Sequence, residues 1–548
     1  LATGVYPLVS SAFPGVPSEE YYLFMPFNAQ VRDPIYGYID YVKELEGPVM
    51  DSWVLQRLRY IYQLQTAHFV YPGATHSRFS HALGVMDSSS KYISFVIRTS
   101  IAAMTLSDDL RKTIISKQRE IIFATRLLGL LHDIGHGPFS HAFDKYVLSR
   151  RDFLNYVVGN HEVLGYIIYR DYLRNLIESR LLENQVTLRL DPEFVLSVLD
   201  RGMMPPRGVS KFTDLTSRGL LRSDEFYDSD EYSGLELVVR LIVRDYIYTS
   251  DIMDYLKRDS YFTGVPIGQV NDEWIMRNSY IVEKESKPTI AITAKTLDEV
   301  ARLLDARKMM YKHVYLHPVN VAFVETIGKL LPCIKSKITN VLEEVLEGRE
   351  KLINYLVLTD SSIYSELQRL LVEGPSSYEC EDKTTATIAL ESLFYKRKPM
   401  WKLVKRFTYD LDEARALFSG IGAQVQEIVK SAIKSEVARA LSSSGVSEQD
   451  IEVHIDKVEV YPTAGSEVVS SLEVIEVKDG RVVHEKSYSF EEFAEEYGLI
   501  PEALISVYIN REKYRKLDES SLNKVIEISE NVIESSIKLR KREAPETS

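Results

Sequence analysis

The stretch L-L-G-L-L-H-D-I-G-H-G-P-F-S-H (Leu127–His141) decides the reading of this chain. An apolar pattern of helical spacing, Glu120 to Leu131, carries His132 and Asp133 in its final turn, and Gly135 and Gly137 end it. An imidazole and a carboxylate there crowd against a wall of leucine, where an unpaired charge is costly. A bound cation is the simplest way to make that arrangement stable. A His-Asp pair alone says little. Its company says more, because of eleven histidines, seven (His68, His76, His81, His132, His136, His141 and His161) fall within one stretch of under a hundred residues.

Outward from this run, apolar residues recur at helical spacing from Ser52 to about Ile177. Trp53, Leu55, Leu58 and Ile61 mark one helix and Phe79 to Ile97 another. Further helices are expected from Leu235 to Asp259 and from Leu297 to Leu316, the latter stopped by Pro318. Residues 1–50 have strand and turn character, and 203–234, with its P-P-R-G and D-E-F-Y-D-S-D-E-Y-S-G, reads as an exposed insertion. Residues 320–440 read as mostly helical. Val453 to Val460, Val468 to Val477 and Val482 to Tyr488 are β-rich, with Asp479-Gly480 as a hairpin turn. Ser489 and Glu492 form a capping box, followed by a strand near Ile505, a terminal helix and a disordered tail, R-K-R-E-A-P-E-T-S. The expected fold is mainly α. A helical core (51–320) follows the N-terminal segment, then a helical extension (321–440) and a small C-terminal α/β subdomain (441–548).

The 548 residues carry 79 acidic and 66 basic side chains, a formal charge of −13, which argues against a broad nucleic-acid footprint. The most apolar stretch, Leu235 to Tyr248, is broken by Arg240, Arg244 and Asp245, so no membrane span is expected. Cys333 and Cys380 are the only cysteines, which suits a reducing cytosol and no disulfide framework. No secretory pattern opens the chain, and a cytoplasmic protein is expected. It begins at Leu1, as a trimmed or partial chain would.

Four residues can form a closed ligand set: His81, His132, Asp133 and Asp251. Mixed imidazole and carboxylate ligation suits Mn, Fe, Ni or Zn, and tolerates Mg. Asp251, Tyr255 and Asp259, spaced by four, project from one helical stripe. Arg307, Tyr311 and Tyr315 repeat the device with a cation for phosphate and rings for a nucleoside. Each stripe alone is more often core, and His68 reads as a core histidine; His76 and Arg78 could simply brace a turn.

Q-R-L-R-Y-I-Y-Q-L (Gln56 to Leu64), F-V-Y-P-G-A-T-H-S-R-F-S-H-A-L-G-V (Phe69 to Val85), H-D-I-G-H-G-P-F-S-H-A-F-D (His132 to Asp144), His161-Glu162 and D-Y-L-K-R-D (Asp254 to Asp259) together resemble the HD-domain deoxynucleoside triphosphate triphosphohydrolases. The likeness covers roughly residues 30–320 and points to the branch that includes the SAM-and-HD-domain enzymes, in a prokaryotic type without a SAM domain. It implies His81, His132, Asp133 and Asp251 as ligands of a divalent metal, with one ion or two. Arg78 would hold a phosphate oxygen, while His136, His141, Asp144 and His161 would line the triphosphate. The resemblance further implies attack of metal-bound water on the α-phosphorus, yielding deoxynucleoside and inorganic triphosphate. His141, oriented by Asp144, is expected to be the general acid, with His136 and His161 neutralising phosphoryl charge.

The same likeness makes Gln63 and Asp259 a pair for the 3′-hydroxyl, with Leu64 and Tyr315 against C2′. It also implies a homo-oligomer, dimer or tetramer, with an activating nucleotide at Asp51, Gln56 and Arg59. Two departures remove positive charge from the activator sites: Ala29 and Gln30 stand where a lysine is expected, and Pro318 replaces another. The rival readings are an HD phosphohydrolase acting on a ribonucleotide, cyclic or signalling nucleotide, and a nucleotide sensor without turnover. A nuclease or nucleic-acid scaffold fits the charge balance less well.

Overall fold

Helix α1 (Arg78–Ala102) starts on Ser77, whose hydroxyl caps the Ser80 N–H, and runs buried through the centre of the molecule. Helix α2 (Gln118–Leu131) packs along it, and Pro192–Met203 (α4) and Leu235–Val243 (α5) close over α2. Between α2 and α4 lies α3 (His161–Ile168). Helix α6 (Ser250–Thr263) crosses α1 closely, because a Cβ at Gly84 would stand 1.9 Å from the Asp254 carboxylate. Helix α7 (Leu297–Met310) continues through a π-helical turn, Tyr311–Tyr315, and Pro318 opens α8 (Pro318–Gly328) at the position where a missing N–H costs nothing. The fold is mainly α. The computed structural model describes residues 25–206, 214–227, 234–348, 353–418, 422–458, 460, 471–478 and 481–541.

Strands β1 (Ala29–Asp33) and β2 (Gly37–Tyr41) form a hairpin near the N-terminus. A four-stranded sheet runs β3 (Ser279–Lys284), β4 (Lys287–Thr293), β7 (Ser471–Lys478), β8 (Arg481–Ser489), with β4 and β7 parallel. A three-stranded antiparallel sheet has β5 (Trp401–Asp410), β9 (Glu502–Asn510) and β6 (Ile451–Val458) in that order. Its apolar face is covered by helices Gly422–Ala440 and Glu519–Lys541, making a second core apart from the main one. Both sheets cross the boundary expected at residue 441. One borrows β3 and β4 from the helical core, and the other borrows β5 from a stretch read as helix.

Several expectations need correction. The single helix expected from Leu235 to Asp259 is two: Arg240 captures the Asp245 carboxylate just beyond α5, and Thr249 caps α6 by accepting from the Ile252 N–H at 3.2 Å. The insertion 203–234 is not exposed throughout, since Leu215, Leu221, Phe226 and Tyr227 are buried and Glu225 accepts from Tyr166 and Arg170. The two cysteines, expected to give no disulfide framework, are joined as Cys333–Cys380 across 47 positions. The Ser489–Glu492 capping box is present as expected. The Asp479-Gly480 turn, the tail beyond 541 and residues 207–213 and 228–233 of the insertion lie outside the described residues. Among those described, no helix is long and apolar enough to cross a membrane.

Candidate active site

The end of α2 sets His132 at its C-cap, and a short loop then turns back to His136. This loop is held from beneath by Arg57, fully buried, which donates to the carbonyls of His136 (2.6 Å), Ile134 (3.3 Å) and Leu358 (3.1 Å). Gly135 lets α3 approach, because a Cβ there would meet the His161 carbonyl at 1.9 Å. Phe139 and Ser140 both have positive φ (59° and 54°), a strained backbone for residues other than glycine. Asp360 steadies that turn by accepting from the Phe139 and Tyr62 N–H groups at 2.7 and 2.9 Å, and burial pushes its carboxyl up to about 7.

His81, His132, Asp133 and Asp251 converge. His81 Nε2 lies 3.0 Å from Asp251 Oδ1 and 3.7 Å from Asp133 Oδ2. His132 Nε2 lies 3.5 Å from Asp133 Oδ1 and 3.6 Å from Asp251 Oδ1. The other ring nitrogens are held elsewhere, His81 Nδ1 by Asp254 (2.7 Å) and His132 Nδ1 by the Gly129 carbonyl (2.8 Å). With its Nδ1–H donated, His132 presents a buried Nε2 lone pair that has no hydrogen-bond partner and faces carboxylate oxygens. Acceptors facing acceptors need a cation between them, so this donor set fits a divalent metal ion. Burial opposes positive charge at His81, yet Asp251 and Asp254 outweigh it and raise its pKa, the same preference for positive charge that a bound cation would satisfy. Burial likewise opposes the Asp133 carboxylate, and His132, Arg78 and His136 hold its pKa well below the usual range.

Beside this set lies a second group. His136 stacks on His161 with centroids 3.6 Å apart, and His141 meets both rings edge-on. Asp144 Oδ2 is 2.6 Å from His161 Nδ1 but 3.4 Å from His141 Nδ1, so its hydrogen bond goes to His161 rather than to the expected His141. Burial and the charges of Arg78 and His161 hold His136 well below the ordinary imidazole range. His161 is raised, since Asp144 overcomes its burial. Two stacked rings cannot both carry charge cheaply, and His161 takes it.

These groups open on one cavity of about 290 Å³. Its wall also contains Gln63, Leu64, Arg78, Tyr255, Asp259, Arg307, Tyr311 and Tyr315, so both tyrosine stripes face it. Tyr315 donates to Asp259 Oδ2 at 2.7 Å, and His76 contacts Asp259 Oδ1 at 2.8 Å. Arg78 does more than brace a turn: it pairs with Asp133 and donates to Ser140 Oγ at 2.7 Å. His68 packs between the rings of Tyr62 and Phe69 and does not line the cavity. Asp51, Gln56 and Arg59 stand apart from it, Arg59 donating to Gln56 Oε1 at 2.7 Å and lying over the Phe79 ring. Sequence reading missed Arg57, Asp254, Asp360, Arg244 and Tyr246. Arg57 and Asp254 both lie within the family-like motifs, and for Asp254 the spacing of three from Asp251 was an available signal; the others reach the site from distant or irregular segments.

A family model described as the HD domain matches residues 96–201, a span that includes His132, Asp133, His136 and His161. The chain carries an HD domain. This HD protein is 28% identical over 300 residues to the uncharacterized protein YwfO of Bacillus subtilis, covering 55% of this chain and 54% of the relative. It is 25% identical over 297 residues to the deoxynucleoside triphosphate triphosphohydrolase SAMHD1 of Gallus gallus, covering 53% of this chain and 42% of the relative. The chain thus spans about half the length of these curated relatives. A crystal structure of a hypothetical protein from Aquifex aeolicus shares its fold, with a TM-score of 0.54 over 89% of this chain and 98% of the other at 20% identity.

Proposed function

We propose that this HD protein is a metal-dependent dNTP triphosphohydrolase, releasing a deoxynucleoside and inorganic triphosphate. The observation that carries the reading is the continuity of one cavity, from the His–Asp donor set through the histidine group to the two tyrosine stripes. The similarity to SAMHD1 enzymes supports the substrate class.

His81, His132, Asp133 and Asp251 would hold a divalent cation, which supplies Lewis acidity and lowers the pKa of a coordinated water. Arg78, fixed by Asp133 and Ser140, keeps a guanidinium at the cavity wall beside the phosphates. His161, charged through Asp144, offsets negative charge developing on the phosphoryl oxygens, while the neutral His136 can donate a hydrogen bond without adding a second charge. The leaving O5′ needs a proton, and the His141–Asp144–His161 group supplies it. At the other end Gln63 Oε1 is buried without a partner and would accept from the 3′-hydroxyl, with Asp259 beside it. Leu64 and Tyr315 close on C2′. An apolar wall rejects an added hydroxyl by about a hundredfold, so ribonucleotides would turn over more slowly. Asp51, Gln56 and Arg59, outside the cavity, are proposed as an activator surface in a homo-oligomer.

Incubation with each dNTP and NTP in Mg²⁺ or Mn²⁺, followed by chromatography, tests the reading. Deoxynucleoside plus triphosphate is expected; monophosphate plus pyrophosphate would overturn it. Adding a second, non-substrate nucleotide tests activation.

A further inference from the structure

Three arginines line the cavity. Arg78 is paired with Asp133, and Arg307 donates to the Val460 carbonyl at 3.3 Å and lies near the Tyr311 ring. Arg244 differs from both. It stands at the C-cap of α5, where the helix breaks, with its side chain only 7% exposed. One guanidinium nitrogen donates to the carbonyls of Gly202 and Met204, at 3.1 Å each. Arg240 already serves the same two carbonyls, at 2.9 and 2.7 Å. The end of α4 is therefore capped without Arg244.

The charge of Arg244 is only loosely paired. Its nearest carboxylate is Asp245, with Oδ1 3.9 Å from Nε, and that side chain is held by Arg240 at 2.5 Å. Arg244 Nε is buried without a hydrogen-bond partner, and among the described residues no carboxylate comes within hydrogen-bond distance. A buried cation left in this state is costly, and arginine cannot escape by losing its proton. Tyr246, on the same wall, commits its hydroxyl to the Ser471 carbonyl at 3.0 Å and does not compete for an anion. An anion entering the cavity would be the missing partner.

We propose that Arg244 is a phosphate-binding residue, donating to non-bridging oxygens of the substrate's polyphosphate. The inference rests on the dNTP reading above and adds a contact from outside the His–Asp motifs. Its role is binding and charge compensation, with no part in proton transfer.

The test compares Arg244→Gln and Arg244→Lys with the unchanged protein, measuring KM and kcat for a dNTP, the inhibition constant of inorganic triphosphate, and the thermal midpoint. A lost charge-assisted contact should raise KM and the inhibition constant together by about tenfold or more in Arg244→Gln, with kcat changing less and partial recovery in Arg244→Lys. Unchanged KM and inhibition constant in a folded Arg244→Gln would overturn the proposal. If the unchanged protein hydrolyses no dNTP, calorimetric binding of inorganic triphosphate decides: binding lost in Arg244→Gln keeps the phosphate contact while the substrate reading falls. Absence of triphosphate binding by the unchanged protein would overturn both.

Discussion

His132 depends on one short hydrogen bond. Gly129 fixes the Nδ1 side, so Nε2 is left as a lone pair among carboxylate oxygens. We expect His132→Ala to lose bound divalent metal and to fall to background hydrolysis, read by elemental analysis and product chromatography; full activity would remove the metal-site assignment. Asp254 acts through His81 and is a positioning residue. Asp254→Asn should weaken metal affinity by about 10- to 100-fold, measured by metal titration, the usual range for the partner of a metal-bound imidazole. His141 and His161 share Asp144, and the variant that loses the proton-dependent limb of the kcat–pH profile identifies the acid. At this scale the sequence was informative about donor types but not about partners. His76 lies 183 positions before Asp259, and Arg57 lies 79 before His136; neither pairing has a periodicity to betray it.

Among the elements, the junction of the His132–His136 loop with α3 is the least forgiving. Asn160 caps α3 by accepting from the Glu162 and Val163 N–H groups at 3.1 and 3.2 Å. Asn160→Ala should cost about 1 kcal/mol in thermal unfolding and lower kcat, because His161 is the first residue of that helix. Gly135→Ala is a harsher change. Its Cβ would meet backbone atoms of His161 and Gly165, which cannot swing aside, so a loss on the order of 3 kcal/mol is expected from denaturant unfolding. The helix periods of α1, α2 and α7 were readable because their apolar stripes are long. The break between α5 and α6 was not, since V-R-D-Y-I-Y-T-S keeps an apolar rhythm and only the Arg240–Asp245 pair and the Thr249 cap reveal the stop.

For the whole molecule, two links tie distant segments. Cys333–Cys380 closes a loop of 47 positions, and a chain-entropy argument assigns it about 4 kcal/mol. Calorimetry with and without a thiol reductant should show a lowered midpoint, and an unchanged midpoint would contradict that share. Glu325, on α8, accepts from Lys145 at 2.6 Å and lies 3.3 Å from His454 on β6. Burial would raise its carboxyl, but His454, Lys145 and Tyr146 outweigh that and hold it at about 2, below an ordinary glutamate. A depressed folded pKa stabilises above the unfolded value of about 4.5 and loses that contribution as pH falls toward 2. Glu325→Gln should therefore lower stability at neutral pH and flatten its decline across that acid window.

Residue identity and spacing were enough to predict the helical core and the two stripes that line the cavity, because each depends on local periodicity. Tertiary structure alone decided that the C-terminal strands complete sheets begun before residue 441, that Asp144 serves His161, and that Arg244 Nε is left without a hydrogen-bond partner. Those outcomes depend on which segments meet across hundreds of residues, and local pattern carries no record of such encounters.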